Sequence, residues 1–229
     1  MEHLDMDLGE LKEKLLTMAN HAENAVNNSL RALIERDYDL AIQVKERDKE
    51  IDALEVEVDE LAIRLLAKAP LASDLRFVTV AMKISQNLER VGDEASKIAK
   101  RARDLSEEAP LKINLDLPRM AHLALAMLKE ALDSFVNRNP TSARALIPRD
   151  KEVDALNKQI SYDLAEHMIQ NPDTIKRSLN LMVVSKSLER IADHAKNVAE
   201  EVVYLCEAQD IRHAARGAQP AHADPTAQS

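Results

Sequence analysis

The phrase "LERVGDEASKIAK" (88–100) returns as "LERIADHAKNVAE" (188–200), and "RDKEIDALE" (47–55) returns as "RDKEVDALN" (149–157). The first pair is offset by 100 residues and the second by 102, so one two-residue deletion near the second turn reconciles them. Carried back at 102, Arg36, Leu33 and Leu30 fall on Arg138, Phe135 and Leu132. A chain that restates itself over this span builds two copies of one structural unit, because the same local pattern buries the same faces twice.

Apolar spacing says what the unit is made of. Ile51, Leu54, Val58, Leu61 and Leu65 alternate steps of three and four, and so do Ile84, Leu88, Val91, Ala95, Ile98, Ala102 and Leu105. Such seams suit helices packed at shallow angles in a bundle. With 3 Gly, no Trp and 2% aromatics, the chain lacks the tight-turn residues of hairpins, which argues against a β-rich fold. The expected class is all-α: two tandem three-helix bundles related by an internal pseudo-twofold repeat.

Breakers place the ends. The first helix is expected from about Asp5 to Arg36, ended by "RDYD", and the second from Tyr38 to Ala69, stopped by Pro70. Ser73 offers an N-cap for a third helix reaching about Glu107, and "EEAPLKINLDLP" (107–118) reads as the linker between halves. A fourth helix runs to Arg138. "NP" at 139–140 then places an Asn cap before a Pro at the first helical position, and a second "NP" at 171–172 repeats the signal. The fifth helix ends near Gln170 and the sixth near Ala208. Pro148 interrupts the fifth, which either starts there or is kinked there. The units are thus residues 1–109 and 110–210, with a disordered polar tail expected over 211–229.

Several functions are disfavoured. Three scattered glycines leave no phosphate-cradling loop, and a formal net charge of −9 with few aromatics argues against a nucleic-acid partner. Cys206 is alone and reads as a packing residue. Met82, Met127 and Met182 fall on helical seams. "MEHLDMDLGE" has no basic start or apolar core, and no apolar run approaches the ~20 residues of a membrane span. The protein is expected in the cytoplasm, with no direct membrane insertion.

Each half pairs acids four positions apart on two helices: Asp48 with Asp52 and Glu89 with Asp93, then Asp150 with Asp154 and Glu189 with Asp193. Like charges at that spacing cost roughly 0.2–0.5 kcal/mol per pair. Asp52 lies 18 residues before Pro70 and Glu89 lies 19 after it; Asp154 is 17 before Asn171 and Glu189 is 18 after. In an antiparallel hairpin each set is level, about 27 Å from its turn. Leu88 and Val91 on the seam put Glu89 beside it and Asp93 outside, so four carboxylates gather near the surface of each unit. Oxygen-rich sets suit hard or borderline cations such as Mg, Ca, Mn and Fe. The competing reading is a solvated acidic face, with Arg47, Arg90, Arg149 and Arg190 as ion-pair partners.

These phrases resemble the PhoU family, whose signature reads approximately E-R-[IV]-G-D-H-A-x-N-I-A; here it stands as "ERVGDEASKIA" and "ERIADHAKNVA". "RDKEIDALE" and "PLASDLRFV" (70–78) also look like family phrases, and the resemblance covers about Leu4 to Cys206. It implies a non-catalytic cytoplasmic regulator that links the ATPase subunit of the phosphate ABC transporter to a sensor histidine kinase. In that role it would hold the phosphate-starvation response off, usually as a homodimer. It also implies metal ligands at Asp48, Asp52, Glu89 and Asp93, and at Asp150, Asp154, Glu189 and Asp193, for Fe, Zn, Mn, Mg or Ca.

The departures from the pattern are Glu94 for His, Lys97 for Asn and Ala192 for Gly. Lys97 is expected to pair with Asp93, which with Asn197 as a secondary ligand ranks the second site above the first. His194 is expected on an exposed polar face. Two alternatives stay open. A metal-dependent hydrolase would need an enclosed pocket, and none of the seven histidines has the Glu-x-x-His spacing of di-iron bundles. A purely structural helical adaptor would need no metal.

Overall fold

A computed structural model describes residues 2–68 and 71–212. Ala69 and Pro70 lie outside the described residues, as do residues 213–229, which hold most of the expected tail. Seven α-helical segments stand in this range: α1 (Glu2–Glu35), α2 (Tyr38–Leu66), α3 (Ala72–Ser106), α4 (Leu117–Val136), α5 (Pro140–Leu146), α6 (Asp150–Gln170) and α7 (Ile175–Glu207). No strand occurs among the described residues. α5 and α6 together answer to α2, so the two three-helix units are α1–α3 and α4–α7.

The seventh segment comes from Pro148. The helix starts at Pro140, and a 3₁₀ turn at Ile147–Arg149 separates α5 from α6, while Ile147, Arg149 and Asp150 keep right-handed helical dihedrals. Proline has no N–H for the carbonyl four residues back, and its ring crowds that carbonyl. The rod is therefore interrupted rather than begun there.

Caps and stops follow the repeat. The Asp37 side chain accepts from the Leu40 amide at 2.9 Å, and its counterpart Asn139 accepts from the Ser142 amide at 3.1 Å. Just before each cap, Arg36 (φ 58°) and Arg138 (φ 47°) take the left-handed conformation that turns the chain out of α1 and α4. Arg36 then donates to the Leu105 and Ser106 carbonyls at 2.6 and 3.1 Å, and to that of Glu108, covering the C-terminal end of α3. Ser73 does not cap α3. Leu71 occupies the cap position with no side-chain bond, and the Ser73 hydroxyl turns to Asp74 at 3.4 Å.

The expected seams are buried: every α3 seam residue is in the core, as are Ile51, Val58, Leu61 and Leu65 of α2, with Leu54 at its edge. α3 packs on α1, α2 and α7, and α7 packs on α3, α4, α5 and α6. The signature helices thus stand back to back at the centre, and one continuous apolar core runs through both units. Equivalent residues even repeat a sulfur contact, Ser85 to Met18 at 3.3 Å and Ser185 to Met120 at 3.4 Å.

Candidate functional site

In the first half the level register of α2 and α3 holds. Asp48 sits within electrostatic reach of Asp52 and Asp93, and Glu89 within reach of Asp93, Glu55 and Asp52. Asp48 and Glu89 are half-buried, while Asp52 and Asp93 are exposed, so the face is shallow and open to water. Burial first, then the neighbouring negative charges, pushes Asp48, Glu89 and Glu55 above the ordinary carboxylate range. Glu55 and Asp59 extend the set beyond the four expected acids. Their spacing from Asp48 and Asp52, in steps of four, three and four, was the sequence signal that could have found them.

The nearby lysine does not neutralise this face. Lys97, expected on Asp93, instead donates to Glu94 at 2.9 Å. Glu94 is only 4% exposed and also receives Arg190 at 3.1 Å. A buried carboxylate gains more from an ammonium than an exposed one does, which decides the partner. The Ser96 hydroxyl faces Asp48 and eases its negative charge without closing a bond of normal geometry.

The second half holds the corresponding acids but is arranged differently. Lys196, the counterpart of Ser96, reaches from α7 to Asp150 on α6 at 2.7 Å and to Asp193 at 2.9 Å. Burial alone would lower the Lys196 ammonium, but the two carboxylates outweigh it and raise its pKa. Lys186 closes on Glu189 at 2.7 Å, and Asp154 is half-buried nearby on α6.

The expected ranking of the two sites is therefore reversed, and Asn197 is not directed at the acids: its amide donates to Asn87 at 3.4 Å. His194 is not on an exposed face either. It is half-buried, with Nδ1 3.1 Å from the Asn87 side-chain oxygen, and burial lowers its pKa. Burial likewise raises the Cys206 thiol, as suits a packing residue.

Among the described residues no three carboxylate, imidazole or thiol groups converge on one point that a metal ion could occupy. The first face offers the oxygen donors and the excess negative charge, offset only in part by Arg90 and Lys97, that a cation would need, without a preformed cage. In the second, Lys196 already bridges Asp150 and Asp193 and Lys186 holds Glu189, so these donors are taken and the face does not fit one.

Gly92 explains how closely α3 approaches α2 beside Asp48. A Cβ there would meet Ile51 Cδ1 at 2.8 Å and Asp48 Oδ1 at 3.2 Å. The counterparts are Ala192 and Val153, so the extra methyl on the helix is matched by one fewer on its neighbour.

Fold and site together define a class: a duplicated three-helix-bundle protein with the helices of the repeated acidic motif back to back at its centre. The PhoU domain model matches residues 15–102 and 117–202, one match in each half. The chain belongs to the PhoU family. It is 38% identical over 214 residues to the phosphate-specific transport system accessory protein PhoU homolog of Pseudomonas aeruginosa, covering 93% of this chain and 88% of that one. A crystal structure of PhoU from Pseudomonas aeruginosa superposes with a TM-score of 0.87 at 38% identity, covering 90% of this chain and 99% of that one. The phosphate transport system regulatory protein PhoU from Streptococcus pneumoniae gives 0.83 at 27% identity, covering 91% and 99%. No helix among the described residues is long and apolar enough to cross a membrane.

Proposed function

We propose that this chain is a cytoplasmic, non-catalytic negative regulator of phosphate uptake and of the phosphate-starvation response. It acts as a homodimeric adaptor between the ATPase subunit of a phosphate ABC transporter and a sensor histidine kinase. The observation that carries this reading is end-to-end similarity, across both halves, to proteins named as accessory or regulatory components of phosphate transport. The shallow, water-open acidic face supports an adaptor over a hydrolase, because water-excluded electrostatics are the larger part of most catalysis.

We further propose that Asp48, Asp52, Glu89 and Asp93, with Glu55 beside them, hold a divalent or iron-type cation of the class Fe, Zn, Mn, Mg or Ca. Such an ion supplies positive charge that Arg90 and Lys97 provide only in part. The exposed Asp52 and Asp93 are free to turn toward it, while Asp48 and Glu89 are anchored by burial.

Removal of the gene from its host tests the regulatory reading. Phosphate-starvation promoters should then fire in phosphate-replete medium, and tagged protein should retain the transporter ATPase subunit on affinity resin. Promoters that stay silent, with no ATPase captured, would refute it. For the ion, elemental analysis of purified protein should find metal that is lost in Asp48→Asn/Asp93→Asn; equal content in both would remove the assignment.

A further inference from the structure

We infer that Lys196 is a tethered cation doing in the second half what a bound ion does in the first, so that the two duplicated acidic faces are unequal by construction. This rests on the proposal that the first face takes a cation, although its structural part stands alone.

The repeat register makes the comparison direct. Asp48 answers to Asp150, Asp93 to Asp193, and Ser96 to Lys196. Where the first half has a hydroxyl facing Asp48, the second has an ammonium whose Nζ lies 2.7 Å from Asp150 Oδ2 and 2.9 Å from Asp193 Oδ1. One positive group thus joins the acids of two helices, which is the task of a bridging ion. Asp150 is only 8% exposed, so its charge needs a partner within the protein.

Two further changes act in the same direction. Gln86 becomes Lys186, which pairs with Glu189, and Glu55 becomes Asn157, whose side-chain oxygen is used by Ser185 at 2.8 Å. Each of the three exchanges makes the second face more positive by one charge. Of the opposing exchanges, Lys97 to Asn197 is matched by Glu94 to His194, its own ion-pair partner. Lys100 to Glu200 adds an acid within reach of Lys196 and Asp193, a change of two charges that is offset in part by Asp59 to Ser161. The two halves have therefore diverged into a face that is open to ions and one closed by its own side chain.

Reciprocal swaps in the full chain test this, read by thermal unfolding in EDTA and by Mn²⁺ bound per chain after equilibrium dialysis. Lys196→Ser should lower Tm in EDTA by roughly 2–6 °C, regain it on addition of Mn²⁺, and bind more Mn²⁺ than the parent by opening the second face. Ser96→Lys should raise Tm in EDTA and abolish both Mn²⁺ binding and the Mn²⁺ response. Parental Mn²⁺ binding that is lost in Asp150→Asn/Asp193→Asn but kept in Asp48→Asn/Asp93→Asn would overturn the inference. So would Lys196→Ser and Ser96→Lys proteins that both unfold in EDTA at the parental Tm. If the parent binds no Mn²⁺ while the two swaps still shift Tm in opposite directions, the tethered cation stands and the first-face ion reading falls.

Discussion

At the scale of single residues, the repeat serves as an internal control. Gly92 packs against Ile51, and the counterpart positions hold Ala192 and the shorter Val153. Alanine is favoured over glycine inside a helix by about 1 kcal/mol, but a Cβ at 92 would sit 2.8 Å from Ile51 Cδ1. Overpacking of this kind costs about 1–3 kcal/mol, so Gly92→Ala should be neutral to destabilising by up to ~2 kcal/mol. Combined with Ile51→Val, which removes the obstructing methyl, it should fold at least as stably as Ile51→Val alone, and denaturant unfolding of the four proteins of this cycle measures the coupling. Identities and spacings of the acids were legible in the sequence, since a helix fixes which positions share a stripe. The partners of the lysines were not. Lys97 can reach back three or four residues on its flexible stem, and the choice of Glu94 over Asp93 depends on burial created by α7, a hundred residues away. That choice, together with Lys196 on Asp150 and Asp193, reversed the order of the two sites.

Among the elements, ends were readable where a residue acts on its own neighbours, and unreadable where the partner is distant. Asn139 before Pro140 caps as its local chemistry dictates, and Asp37 does the same in the first half. Ser73 had the right residue type, yet α3 begins at Ala72, one position before it, so its hydroxyl is inside the first turn rather than at the cap. The fate of Pro148 depended on whether surrounding packing could hold a helix through a missing hydrogen bond, which no local pattern reports. Arg36 is a long-range stop: a left-handed arginine after α1 that serves carbonyls at the end of α3. Asp37→Ala and Asn139→Ala should each cost about 1 kcal/mol by urea denaturation, and being in different halves they should add. Arg36→Ala should cost more than either, about 2–3 kcal/mol, because several helix-end carbonyls lose a charged donor at once.

For the whole molecule, the pseudo-twofold axis passes between α3 and α7, where Glu94 faces Ser187 and its counterpart His194 faces Asn87. The axis relates equivalent positions that now carry different chemistry, and stability should depend on pH through two opposed sets of acids. Burial alone would raise Glu94, but Lys97, Ser187 and Arg190 hold it below the ordinary carboxylate range. Its stabilisation is therefore present above the unfolded pKa and is lost as pH falls through the depressed folded value. Asp48, Glu55 and Glu89 are raised, so their contribution is fully present below the unfolded pKa and is lost as pH rises through the folded values. At neutral pH without added cation, the core junction gains from its charge while the first acidic face loses from its own. Glu94→Gln should thus lower stability by about 1–3 kcal/mol near neutrality, with the deficit shrinking toward acid. Asp48→Asn should raise stability by roughly 0.5 kcal/mol near neutrality in EDTA, with the gain likewise vanishing toward acid. Unfolding of both variants from about pH 3 to about pH 8 would show the opposite signs and the fading of both effects toward acid. A gain for Asp48→Asn that persisted unchanged at the acid end would mean that neither burial of this charge nor repulsion from its neighbours is its source.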